Sequence, residues 1–218
     1  MTITIPAKYI LIVTLLFASL LAQGQKNLYF TGQVGLESGR FHIYEVKKNA
    51  KDQLKSGKAG IIFQLDSIHG HGLMFNYSSG AMTDKDSKAP LALNKAYALS
   101  YFYNNHQIKS TARLGVMNRL YIGANQASFQ NLRPDLYGYS MPDRYDARLY
   151  GFHVSWEMGA MVRINRRNDF FYCLVGAYYR YNETEHIYRY YDGKEFRKDL
   201  KTSETNVNIS IGVQIRLF

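Results

Sequence analysis

From Thr205 to Leu217 the odd positions read Thr, Val, Ile, Ile, Val, Ile, Leu, and the even positions from Asn206 to Arg216 read Asn, Asn, Ser, Gly, Gln, Arg. A period of two puts successive side chains on opposite faces of a β-strand, and no helix satisfies it. The run is also far longer than the usual strand of about 5–6 residues. The same signature recurs upstream. In 112–124, Ala112, Leu114, Val116, Leu120, Ile122 and Ala124 oppose Arg113, Gly115, Met117, Arg119, Tyr121 and Gly123. In 150–164, Tyr150, Phe152, Val154, Trp156, Met158, Ala160, Val162 and Ile164 oppose Gly151, His153, Ser155, Glu157, Gly159, Met161 and Arg163. A weaker contrast runs through 171–181, and shorter alternating segments lie nearer the N-terminus. The pattern predicts eight strands near 27–36, 58–66, 71–80, 92–104, 111–126, 149–164, 169–182 and 204–218. A faint alternation over 40–47 leaves ten strands as the alternative.

The connections expected between these strands alternate long and short. Long ones fall near 37–57, 81–91, 127–148 and 183–203; the short ones are 67–70 (SIHG), 105–110 (NHQIKS) and 165–168 (NRRN). Turns on one side and long loops on the other, with an even strand count, are the asymmetry of a transmembrane β-barrel. Glycine and charge orient the two faces. Gly35, Gly60, Gly72, Gly80, Gly115, Gly123, Gly151, Gly159, Gly176 and Gly212 fall on the polar face, where a narrow barrel crowds its side chains. Arg113, Arg119, Arg163, Arg180 and Arg216 share that face with Asp66, His153 and Glu157. A hydrated lumen pairs such groups, whereas a dry core pays heavily for them. The expected interior is therefore an ion-pair network, and the apolar face meets lipid. The rival is a soluble exported barrel of lipocalin type with an apolar ligand, because such a barrel also alternates.

The N-terminus carries an address. Lys8 precedes an apolar run from Tyr9 to Ala22, and Ala22-Gln23-Gly24 supplies small residues at the −3 and −1 positions of a cleavage site. The run is shorter than the ~20 residues a spanning helix needs, and the arrangement is that of a secretory signal peptide. Residues 1–24 are expected to be removed, leaving 25–218 as one barrel domain. The chain holds one cysteine, Cys173, which excludes a disulfide framework and a cysteine-ligated zinc site. Its net charge is +10, but an exported chain does not meet intracellular nucleic acid, so no nucleic-acid partner is expected.

On these residues the chain resembles the small outer-membrane β-barrel proteins of diderm bacteria, of the OmpA/OmpX-type architecture. The C-terminal strand NVNISIGVQIRLF, with Ile211, Val213, Ile215 and Leu217 ending in Phe218, looks like the signal read by the barrel-assembly machinery. Phe218 follows Leu217 out of the usual register, a departure from that signal. The resemblance implies residence in the outer membrane, with lipid and lipopolysaccharide as surroundings. The name porin-like fits only the architecture, since an eight-stranded barrel is just wide enough to be filled by its own side chains.

Few residues suggest chemistry. His153, Ser155 and Glu157 lie on one face of one strand, and the His-x-Ser pair is similar to that of the lipid A 3-O-deacylases, where His activates a Ser nucleophile. A lipid A-modifying hydrolase is thus the alternative function. Against it, the pair faces the lumen, while a nucleophile that cuts acyl chains must open to lipid; a side-chain-filled lumen is the expected role. TDKDSK (83–88) lacks the Gly and terminal Glu of a calcium loop. His69 and His71 (HGH) form a pair in a turn with no third ligand, so neither metal nor cofactor is expected. Lys47, Lys48, Lys51, Lys55 and Lys58 cluster in the first long loop, and Lys194, Arg197, Lys198 and Lys201 in the last. Lipopolysaccharide phosphates are the obvious anions for them. Tyr137, Tyr139 and Tyr145, mixed with Pro134 and Pro142, make the third loop a candidate contact surface for a protein partner. The expected function is a non-enzymatic barrel with a filled lumen and exposed loops.

Overall fold

The alternation is realised as eight antiparallel strands: β1 (Leu28–Ile43), β2 (Lys48–Gln64), β3 (His69–Asp84), β4 (Pro90–Gln107), β5 (Leu114–Leu132), β6 (Tyr145–Arg163), β7 (Phe170–Arg189) and β8 (Glu195–Arg216). The computed structural model describes residues 28–43, 48–84, 90–108, 112–132, 145–165, 169–189 and 195–217. Each strand pairs with its neighbours in sequence, and β8 pairs back onto β1, from Tyr29 opposite Arg216 to Ile43 opposite Thr202. Closure leaves no free edge, which is what hydrocarbon demands of a spanning sheet. The strand count is eight rather than ten. The weak alternation after Arg40 belongs to β1, which runs to Ile43 opposite Lys48.

The strands are longer than their apolar stretches. Of the loops expected at 37–57, 81–91, 127–148 and 183–203, only 44–47, 85–89, 133–144 and 190–194 separate consecutive strands. The physical reason is that ladder hydrogen bonds need no lipid-facing side chain, so apolar alternation marks the part of each strand in contact with hydrocarbon and not its end. Beyond Leu36, for instance, β1 continues with Ser38 and Arg40 pointing out and Glu37 and Phe41 pointing in.

The barrel is inside out relative to a soluble one. Val34, Leu36, Leu99, Ile122, Trp156, Val175, Ile209 and Ile211 all project outward and are exposed. Arg119, Glu157, Arg180, Asn206 and Gln214 project inward and are buried. The lipocalin reading fails on this point, because its apolar side chains would line the interior. Outward aromatics gather toward both rims of the belt. Tyr101 and Tyr103 lie toward the end that carries the termini; Tyr77 and Tyr97 (ring centroids 5.1 Å apart), with Tyr150, Tyr179 and Tyr181, lie toward the other. Such girdles suit the membrane interfaces. This is a transmembrane β-barrel.

Residues 1–27 and Phe218 lie outside the described residues, so the expected signal peptide and terminal aromatic are not placed. Tyr137 and Tyr139 also lie outside them, as do Asp86 and Ser87 of the TDKDSK segment. Tyr145 opens β6 opposite Leu132, in a strand rather than in a loop.

Candidate functional site

The interior is built in layers, each supplied by the inward positions of several strands. Nearest the termini, Met117, Met161, Phe170, Tyr172 and Leu174 form one apolar cluster, and Tyr29, Ile62, Met74, Phe102 and Tyr121 form another. Arg119 sits between them, its guanidinium carbon 4.4 Å from the Tyr172 ring centroid and 5.6 Å from that of Phe102. Its Nε donates to Asn104 Oδ1 at 2.9 Å, and Nη1 donates to Tyr172 Oη at 3.1 Å and to Gln33 Oε1 at 3.2 Å. Nη2 donates to Thr31 Oγ1 and Gln214 Oε1, both at 3.2 Å. No carboxylate bonds it directly. A fully buried guanidinium is held by neutral acceptors and two ring faces.

In the next layer Glu157 receives the Lys58 ammonium in a buried ion pair. Tyr121 Oη donates to its Oε2 at 2.8 Å, Asn208 Nδ2 donates to Oε1 at 2.6 Å, and Gln33 Nε2 donates to both oxygens at 3.3 Å. The pair, from β2 and β6, is thus satisfied by side chains of three further strands, which is what lets two charges stay buried together.

Above it, Arg180 Nη1 donates to Glu204 Oε2 at 2.8 Å. Tyr178 Oη lies 2.6 Å from Glu37 Oε2 and 3.2 Å from Glu204 Oε1, and accepts from Asn206 Nδ2 at 2.8 Å. Asn94 Nδ2 donates to Asp52 Oδ2 at 2.6 Å. The outermost inward positions turn apolar again: Phe41, Leu54, Met82, Phe129 and Leu149 are all buried, with Phe41 edge-on to Phe129 at 5.1 Å. Between the charged layers a cavity bordered by Lys58, Ser100, His153 and Arg180 measures only about 10 Å³. That is room for about one water.

Several expected lumen residues take these places, and others do not. Arg119, His153, Glu157 and Arg180 are buried inside. Arg163 and Arg216 point inward near the barrel end and are half-buried. Arg113 is exposed just before β5, where its carbonyl accepts from Arg163 N at 2.8 Å; it belongs to the rim and not to the network. Asp66 is likewise outside the lumen, in the turn between β2 and β3. Its Oδ1 accepts from Ile68 N and His69 N, both at 2.7 Å, and its Oδ2 lies 2.8 Å from His69 Nδ1. The His69 side chain, then the two backbone N–H groups, hold its carboxyl down to about 2. The short turn is bracketed by these bonds, and β-parity carried two residues past Gln64 put Asp66 in the wall.

Lys58, read as a loop lysine, proves to be the counter-ion of Glu157. Glu37, Asp52 and Glu204 were likewise missed. Their signal was parity: each lies an even number of residues from recognised lumen positions, just past the end of the apolar pattern.

The candidate catalytic residues are placed but not assembled. His153 Nε2 lies 2.9 Å from Ser100 Oγ, so the imidazole engages a serine of β4 and not Ser155. Glu157 is committed to Lys58, Tyr121 and Asn208. Ser155 is buried in the lumen, facing away from lipid. A broad apolar hollow of about 830 Å³ lies on the outer wall where Gly32, Gly57 and Ala59 face outward, and its border includes none of His153, Ser155 and Glu157.

No protein-family model and no curated protein matches the chain. Solved structures do resemble it. The outer membrane protease OmpT from Escherichia coli superposes with a TM-score of 0.51 at 8% identity, covering 88% of this chain and 97% of its own. Neisserial surface protein A gives 0.48 at 13% identity, covering 87% of this chain and 97% of its own. OprG from Pseudomonas aeruginosa gives 0.46 at 13% identity, covering 88% and 98%. At such identities the OmpT likeness establishes the barrel fold and carries nothing about activity.

Proposed function

We propose that the chain is a non-enzymatic resident of the bacterial outer membrane. On this reading it is exported by a cleaved signal at 1–24 and folded through its C-terminal strand by the barrel-assembly machinery, and its outer hairpins contact lipopolysaccharide. What supports the reading is the packing of the lumen, where buried charged side chains are layered between apolar ones. The cavity between the charged layers, bordered by Lys58, Ser100, His153 and Arg180, has room for about one water, which favours the outer wall as the working surface.

The wall supplies a place for phosphate. Arg40 stands directly opposite Lys51 in the β1–β2 ladder, both pointing outward and exposed, and Lys55 follows on the same face opposite Leu36. Like charges directly opposite each other destabilise a sheet. Placed just beyond the last outward leucine, they suit an anionic headgroup.

Mass spectrometry of the lipopolysaccharide that copurifies with the folded barrel tests both parts. Wild type is expected to retain lipopolysaccharide with every acyl chain intact, and Ser155→Ala to give the same acyl pattern. The double variant Arg40→Ser/Lys51→Ser is expected to retain less. An acyl chain missing in wild type and restored by Ser155→Ala overturns the non-enzymatic reading. Equal retention by the double variant overturns the phosphate contact.

A further inference from the structure

The HGH sequence falls in a strand and not in a turn. His69 and His71 are the first and third residues of β3, and the pleat sends both outward on one face, at the barrel end that carries the termini. Two residues of strand rise separate them by about 7 Å at the backbone. The rings are fixed by packing: His69 stacks on Tyr103 at 6.0 Å, and His71 stands edge-on to Tyr101 at 6.0 Å and to Phe63 at 6.2 Å.

Each ring already has its Nδ1 engaged. His69 Nδ1 lies 2.8 Å from Asp66 Oδ2, a carboxylate that fixes the Nδ1–H tautomer and turns the lone pair onto Nε2. His71 Nδ1 lies 3.2 Å from Tyr101 Oη, which can accept Nδ1–H once Nε2 is committed elsewhere. A ligating imidazole that hands its other nitrogen to a carboxylate or oxygen is the usual outer shell of a protein metal site.

A third donor stands beside the pair. Asn105 on β4 is the ladder partner of His69, and its buried side-chain oxygen Oδ1 has no hydrogen-bond partner. Among the described residues no three His, Cys, Asp or Glu side chains converge on one point. The remaining positions of a bound ion would therefore fall to the Asn105 oxygen and water.

We propose that His69 and His71 chelate one divalent transition metal ion, of the class Zn²⁺, Cu²⁺ or Ni²⁺, through their Nε2 atoms on the outer wall. Imidazole nitrogens with oxygen donors suit that class and not Ca²⁺ or Mg²⁺. Asp66 acts as a positioning residue through the His69 ring.

The test is Cu²⁺ added alone to the folded full-length protein in detergent micelles, read by electron paramagnetic resonance. Wild type is expected to show one saturable site with hyperfine splitting from two nitrogens. His71→Ala and His69→Ala are each expected to lose the two-nitrogen signal, while His42→Ala retains it. Asp66→Asn should keep two nitrogens but bind about 10–100-fold more weakly, the range for lost outer-shell partners. Heat-modifiable gel mobility reports that each variant has folded. The absence of a saturable site in wild type overturns the proposal, and so does a two-nitrogen signal that persists in the folded His69→Ala/His71→Ala variant.

Discussion

At the residue scale the lumen depends on who pairs with whom. Lys58 and Glu157 are both nearly inaccessible, so removing one leaves a buried charge without its partner. Breaking such a pair costs about 3–5 kcal/mol, whereas replacing both members by apolar groups of similar size is often neutral or better. Glu157→Ala is expected to destabilise the barrel in lipid by that amount, read as a lower urea midpoint, and Lys58→Met/Glu157→Leu to recover most of it. A single variant that unfolds like wild type would mean that the pair is not desolvated. Arg119 differs in kind, since its partners are neutral and two ring faces cover it. Truncating it removes packing between the two apolar clusters as well as charge.

At the element scale, strand alternation sets what each position tolerates. A Cβ at Gly151 would meet the carbonyl oxygen of Tyr181 on β7 at 1.7 Å, while one at outward Gly57 meets nothing within 4 Å. Gly151→Ala is expected to destabilise by about 1–3 kcal/mol through overpacking against backbone. Gly57→Ala should be neutral or stabilise by about 0.4–1 kcal/mol through the unfolded chain. Denaturant unfolding of the two variants side by side checks the facing of β2 and β6 together. Facing was legible in the sequence wherever apolar and polar residues alternate in contrast, as in β6 and β8. It was not legible above the membrane belt. There Glu37 and Phe41 both point inward, one charged and one apolar, because an interior closed by mixed layers imposes shape and pairing instead of polarity. The counter-ions of the lumen were lost for the same reason. Lys58 sits among loop-like lysines in the sequence and is assigned to the wall only by its register opposite Gln33. Asp66 was misplaced because a turn held by one carboxylate looks, residue by residue, like one more step of strand.

At the scale of the whole molecule, the claim is a barrel with lipid outside and a closed interior. Val175, near the middle of the apolar run of β7, faces outward between Met158 on β6 and Ile209 on β8. Val175→Arg is expected to cost about 2–4 kcal/mol, the range for a cation near the bilayer midplane, with Val175→Leu as the neutral control. Folding yield into lipid vesicles measures it, and equal yields would reverse the assignment of the two faces. The most direct measurement of the account is the conductance of purified, folded protein in planar bilayers. With Arg119, the Lys58–Glu157 pair and the Arg180–Glu204 pair stacked between apolar layers, wild type should insert and show no steady current. A large, stable conductance from wild type would contradict the closed lumen on which the functional reading rests.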